Sequence, residues 1–101
     1  MLHRIVQMTF REDATEEFLR IYQEMAPVIG SFPGCRHLEL WRNSGDPLRF
    51  ATYSVWDDSE ALEAYRTSEA FRRTWSRVRP LFSEPARADS YVSTGVEKSI
   101  T

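Results

Sequence analysis

The segment Phe50–Trp75, FATYSVWDDSEALEAYRTSEAFRRTW, limits the choice of fold more than any other part of the chain. It opens as a strand, with Phe50, Thr52, Ser54 and Trp56 alternating onto one face. Asp57-Asp58-Ser59-Glu60 follows as an acidic turn. Asp57 is placed to cap the free N–H groups of the next helix, and Glu60 to reach back as in a capping box. That helix sets Leu62, Tyr65, Phe71 and Trp75 on roughly one side. A small domain seldom needs so many large rings on one helix face merely to fill a core. Either they build a cavity for a flat ligand, or they form an interface between two copies.

The remaining segments alternate between the same two periods. Leu2–Phe10 reads as a strand with neither face purely polar, which suits a sheet covered on both sides. Phe18, Ile21, Tyr22, Met25, Val28 and Ile29 recur at helical spacing and predict a helix from Thr15 to about Gly30, kinked or locally broken by Pro27 near Ala26. Gly30 and Pro33-Gly34 close that segment. A strand over Cys35–Arg42 and a hairpin-like loop over 43–47 lead into Phe50. The second helix should bend near Thr67-Ser68 and end at Pro80, with a last strand over about Ala86–Ser93. The order βαββαβ predicts an α+β, ferredoxin-like domain with a four-stranded antiparallel sheet. An echo between Asp13–Phe18 and Asp57–Leu62 suggests that both helices start with the same capping chemistry. Helices then cover one sheet face, and a second copy of the chain is the expected cover of the other, giving a dimeric α/β barrel. The domain should span 1–94, with 95–101 a loose tail.

Composition narrows the partners. One domain is the natural count for 101 residues, and its small core would profit from dimerisation. The net charge of −2, with acids and bases intermixed, argues against nucleic acid or an anionic membrane as the main partner. Cys35 is the single cysteine, so no intrachain disulfide can form. No run approaches the ~20 apolar residues of a membrane span. Leu2–Phe10 carries His3, Arg4 and Gln7 and lacks a cleavage-type tail, so a cytoplasmic protein is expected.

The run strand–Ser-x-Trp–acidic turn–Ala-Leu-x-x-Tyr–Ser-x-x-Phe resembles the antibiotic biosynthesis monooxygenase family of small dimeric α/β-barrel proteins. The Phe32-Pro33-Gly34-Cys35 loop and the strand Arg36–Trp41 resemble its middle segment, and the likeness runs from about Leu2 to Ser93. It implies a pocket for aromatic substrates at Trp56. Some members oxidise phenols or quinols with O₂ and no bound cofactor, so no cofactor and no metal are expected here. Thr52, Leu62, Tyr65 and Ala70 stand where aromatic-oxidising members carry Asn, Tyr and histidines. In the haem-degrading branch an Asn, a Trp and a ligating His occupy the places of Val6, Tyr65 and Trp75. An indole has no lone pair for iron, so haem is not an expected ligand.

The residues themselves leave alternatives open. Trp56 reads as a cavity wall or as a core filler. Thr52, Trp56, Tyr65, Phe71 and Trp75 form the candidate substrate-binding set, and His37, Trp56 and Tyr65 the candidate catalytic set, with Tyr53 a further acid–base candidate. An imidazole has an unperturbed pKa near neutrality, so His37 is the best general base if its strand face looks into the cavity, or an interface residue if it looks into the dimer contact. Cys35, His37 and Glu39 alternate on one strand, but same-face neighbours are ~6.6 Å apart, too far for all three to share a metal. Arg72, Arg73, Arg77 and Arg79 read as a solvated helix face or as an anion site. The function expected is oxidation of a small aromatic by a monooxygenase-like protein. The alternatives are a non-catalytic dimeric binding module and a cyclase or isomerase on the same scaffold.

Overall fold

A computed structural model describes residues 1–98; of the expected tail, residues 99–101 lie outside the described part. The chain runs β1 (Leu2–Phe10), α1 (Thr15–Gly30), β2 (Cys35–Arg42), β3 (Arg49–Trp56), α2 (Ser59–Arg66), α3 (Glu69–Val78), a 3-10 turn (Arg79–Leu81) and β4 (Phe82–Val92). The strands form one antiparallel sheet in the order β2-β3-β1-β4. This is the ferredoxin-like α+β arrangement that the order of elements predicts.

Register decides which side chains share a face. Arg4 lies opposite Ser54, Val6 opposite Thr52, and Met8 opposite Phe50. Leu38 and Leu40 extend that face onto β2 beside Ser54 and Thr52. Against it α1 lays Phe18, Ile21, Met25 and Ile29, a stripe at helical spacing, and all four are buried. Phe10 and Phe18 stack at 4.1 Å, and both meet Phe50 edge-on. Such offset and edge-to-face ring pairs add to what apolar burial alone contributes. The other face carries His3, Tyr53, His37, Glu39 and Trp41, and no helix of the described residues lies over it.

Four local expectations need correction. The capping residue of α2 is Asp58, whose carboxylate accepts from Ala61 N at 2.8 Å. Asp57 instead takes a two-pronged hydrogen bond from Arg36, at 2.6 and 2.9 Å, which ties the start of β2 to the turn before α2. The echo in capping chemistry is absent at α1, whose first position is Ala14 with no side-chain cap, while Asp13 pairs with Arg11. Of the kink or break expected at Pro27, the break does not occur: helix α1 is continuous through Pro27 to Gly30. Lastly, β4 starts at Phe82, before Pro85. Gln7 pairs with Arg87 and Thr9 with Glu84, so Pro85 and Ala86 share the place opposite Met8. Such a bulge on an edge strand tolerates a residue without an N–H.

The expected bend in the second helix is a complete break. Ser68 Oγ donates to Tyr65 O at 2.6 Å, closing α2, and accepts from Phe71 N at 3.1 Å, opening α3. One side chain thus ends one helix and caps the next.

Candidate functional site

The break at Ser68 turns the rings of α2 and α3 toward each other over the end of β3. Trp56 stacks on Tyr65 at 5.2 Å. Tyr65 meets Phe71 at 5.2 Å and a right angle, and Phe71 meets Trp75 at 5.7 Å. Phe32 closes the far side of Tyr65, and Phe82 the far side of Trp75. Trp56 is 1% exposed, and its indole N–H donates to Ser54 Oγ at 3.0 Å, the polar partner a buried Trp requires.

Between the sheet and the three helices lies a cavity of about 70 Å³. Thr52, Trp56, Tyr65, Phe71 and Trp75, the whole candidate binding set, line it. The two readings of Trp56 therefore meet in one residue, a core ring whose neighbours leave a void. Tyr22, Arg4 and Thr74 also line the space. Sequence periodicity counts Tyr22 among the apolar positions of α1 and says nothing of its hydroxyl. That hydroxyl is buried and has no hydrogen-bond partner among the described residues. An unsatisfied buried hydroxyl is costly unless a water or a ligand completes it.

Burial sets the ionisation of both cavity phenols. It pushes Tyr22 up to about 12, helped by the charges of Cys35 and Glu39. It pushes Tyr65 up to about 12 as well, against the pull of the Arg4 cation. At neutral pH both are protonated and serve as hydrogen-bond donors rather than bases.

His37 lies on the opposite side of the sheet. Its Nε2 is 2.5 Å from Glu39 Oε2, and its ring leans on Tyr53 at 5.6 Å. Tyr53 OH bonds His3 Nδ1 at 2.9 Å and stacks under Trp41 at 5.1 Å. His37 and Tyr53 thus belong to a polar–aromatic patch on the open sheet face, away from the Trp56 cavity. Cys35, His37 and Glu39 do not converge, because a register shift follows Cys35, and no metal-binding group of three forms among the described residues. Arg72, Arg73, Arg77 and Arg79 are exposed, and Arg77 reaches Glu24 on α1.

Residues 1–76 match the model of the family described as antibiotic biosynthesis monooxygenase. The chain belongs to that family. The antibiotic biosynthesis monooxygenase fold recurs in solved structures. A "putative antibiotic biosynthesis monooxygenase" from Nitrosomonas europaea superposes with a TM-score of 0.86 at 20% identity, covering 93% of this chain and 99% of the other. A protein from Mycobacterium tuberculosis gives 0.86 at 16% identity, over 96% and 98% of the two chains. At these identities the likeness is one of fold. A Natronomonas pharaonis protein named "putative heme-binding protein" is 28% identical over 79 residues, 78% of this chain. The match spans 13% of that relative's length. No helix among the described residues is long and apolar enough to cross a membrane.

Proposed function

We propose that this protein binds a small aromatic or quinol against Trp56 and oxidises it with O₂, without a bound cofactor. The observation that carries this reading is the ring-lined cavity with the unpartnered Tyr22 hydroxyl inside it. A core built only for packing would close that space and satisfy that group. Family membership supports the same reaction type.

The chemistry asks little of the protein. An ionised phenol or enol passes one electron to O₂, and the substrate radical and superoxide combine into a C–O bond. Where the reacting carbon bears hydrogen, proton uptake gives a hydroperoxide, which loses water to leave a carbonyl, so a CH₂ group and O₂ become C=O and H₂O; a quinol instead gives two electrons and two protons to O₂, leaving a quinone and H₂O₂. The cavity's rings hold and desolvate the flat substrate, and the neutral phenols of Tyr22 and Tyr65 hydrogen-bond the oxyanion and the peroxide. No imidazole faces the cavity, so the substrate enters already ionised rather than losing its proton to a base inside. With about 70 Å³ the cavity is smaller than the ~150 Å³ that holds a benzene. Ligand entry therefore swings Phe71 and Trp75 outward from α3.

The test is a titration of intrinsic Trp fluorescence with 1-naphthol and hydroquinone. Saturable quenching is expected, and Thr52→Leu, which fills the cavity without removing a hydrogen bond, should abolish it. Quenching that survives in Thr52→Leu would place the ligand elsewhere. The missing internal base favours one second reading, a dimeric binding module that holds such a ring without turning it over. The haem named for the Natronomonas relative is not carried over, because His3 and His37 face the other side of the sheet and an indole stands at Trp75. A one-to-one Soret shift on adding ferric haem would overturn that exclusion.

A further inference from the structure

Among the described residues two polar side chains are buried, Ser54 and Arg4. Ser54 is satisfied by the indole of Trp56. Arg4 is 9% exposed, and among the described residues its guanidinium has no hydrogen-bond acceptor and no ion-pair carboxylate. The titratable groups that act on it are Arg66, Tyr65 and Glu63 on α2, and Glu63 is already bonded to Arg66 at 3.1 Å. Its nitrogens are not sealed off, since the fully enclosed polar atom without a partner among the described residues is the Tyr22 hydroxyl, and Arg4 keeps access through the outer groove. A lysine there could lose its proton, but arginine keeps its charge. The guanidinium therefore stands ready for an anion that the chain does not itself supply.

Its place in the fold tells what kind of anion. Arg4 sits mid-sheet, between Ser54 on β3 and Ser90 on β4, on the helix-facing side. It lines the inner cavity and also an outer groove of about 620 Å³ between α3 and β4. The two spaces share Arg4, Val6, Phe71 and Trp75 as their partition. Arg66 and Arg79 add positive charge to the groove wall, against one acid there, Glu84, which accepts from Thr9 Oγ1 at 3.3 Å. When Phe71 and Trp75 move aside, cavity and groove become one site with a ring slot at one end and a guanidinium at the junction.

We infer that this site selects an aromatic carboxylate, with the ring against Trp56 and the carboxylate on the Arg4 guanidinium. The inference rests on the aromatic-binding reading above and adds a charge requirement to it. A planar guanidinium and a carboxylate match as a two-pronged pair, and the low-dielectric wall strengthens the bond.

Benzoate and its neutral isostere benzamide are the probes, titrated into the full chain by Trp fluorescence at neutral pH. Benzoate should bind at least tenfold more tightly than benzamide. In Arg4→Met that preference should vanish while benzamide binding persists, and the variant should melt at or above the wild-type temperature, because no ion pair or hydrogen bond is lost. Arg4→Lys should keep part of the preference. Equal affinity of the wild type for both probes would overturn the inference yet leave the ring-binding reading standing. So would a preference that survives in Arg4→Met. A lower melting temperature for Arg4→Met would assign the side chain a structural pairing instead. Failure of both probes to quench the wild type would sink the ring-binding reading and this inference with it.

Discussion

Tyr22 and Tyr65 show what burial does to a single group in this protein. Both phenols are held protonated to about 12 by the surrounding apolar wall. Each binds its proton more tightly when folded than when unfolded. The stability this contributes is complete below pH 10 and is lost as pH rises through 12. Alkaline titration followed at 295 nm should show these two ionising together with unfolding; ionisation near 10 in the native state would contradict their burial. Gly34 makes a second residue-scale case. Its φ is +86°, and an added Cβ would lie 2.5 Å from Ala61 Cβ. Gly34→Ala should destabilise by about 1–3 kcal/mol, seen as a lower Tm in thermal unfolding. An unchanged Tm would mean that the loop relaxes freely. The ring set of the cavity was legible in part at this scale, because Thr52 and Trp56 share strand parity and Phe71 and Trp75 share a side of α3, whereas Tyr65 meets them only through the break at Ser68. Arg4 was not singled out, although its parity with Val6, Met8 and Phe10 is itself a signal of a buried cation. The Tyr22 hydroxyl stayed hidden, since periodicity records a ring and not its oxygen.

At the scale of elements, the strand and helix periods predicted β1, α1 and β2 with their observed limits. Two boundaries were obscured by chemistry that a single sequence does not display. Pro85 reads as a strand breaker, yet it sits at a bulge on an edge, so β4 begins earlier. The facing of His37 depends on the register shift after Cys35, and that shift arises from pairing with β3 rather than from β2 alone. Leu38 and Leu40 alternating with His37, Glu39 and Trp41 already hinted that the imidazole looks away from the core. The Ser68 junction is the element-scale control of the cavity, because its hydroxyl fixes the angle between Tyr65 and Phe71. Ser68→Ala should cost about 1 kcal/mol by loss of the cap. It should also loosen the cavity, seen as faster amide exchange at Phe71 and weaker 1-naphthol binding. Unaltered exchange at Phe71 would show that packing alone holds the junction.

At the scale of the whole molecule, one sheet face carries the three α-helices of the described residues and the other carries none of them. Trp41 is 42% exposed on that open face, beside Tyr53 and His37, and Tyr91 is 56% exposed next to His3. An uncovered sheet with large rings on it is the surface a second copy would bury. Light scattering at micromolar concentration should give twice the mass of the chain, and Trp41→Asp should shift it toward one; a wild-type monomer would remove the barrel. The fold was legible because its order of elements admits few topologies. The chemistry was less so, because one scaffold hosts many reactions and its cavity, at about 70 Å³, is too small in this conformation to display a ligand's outline. The account therefore rests most directly on oxygen consumption by the purified protein, without added flavin, metal or haem, across anthrones, naphthols and hydroquinones. It predicts uptake above the buffer rate with at least one ring, lost in Thr52→Leu and retained in His37→Ala. Uptake at the buffer rate with every ring would contradict it.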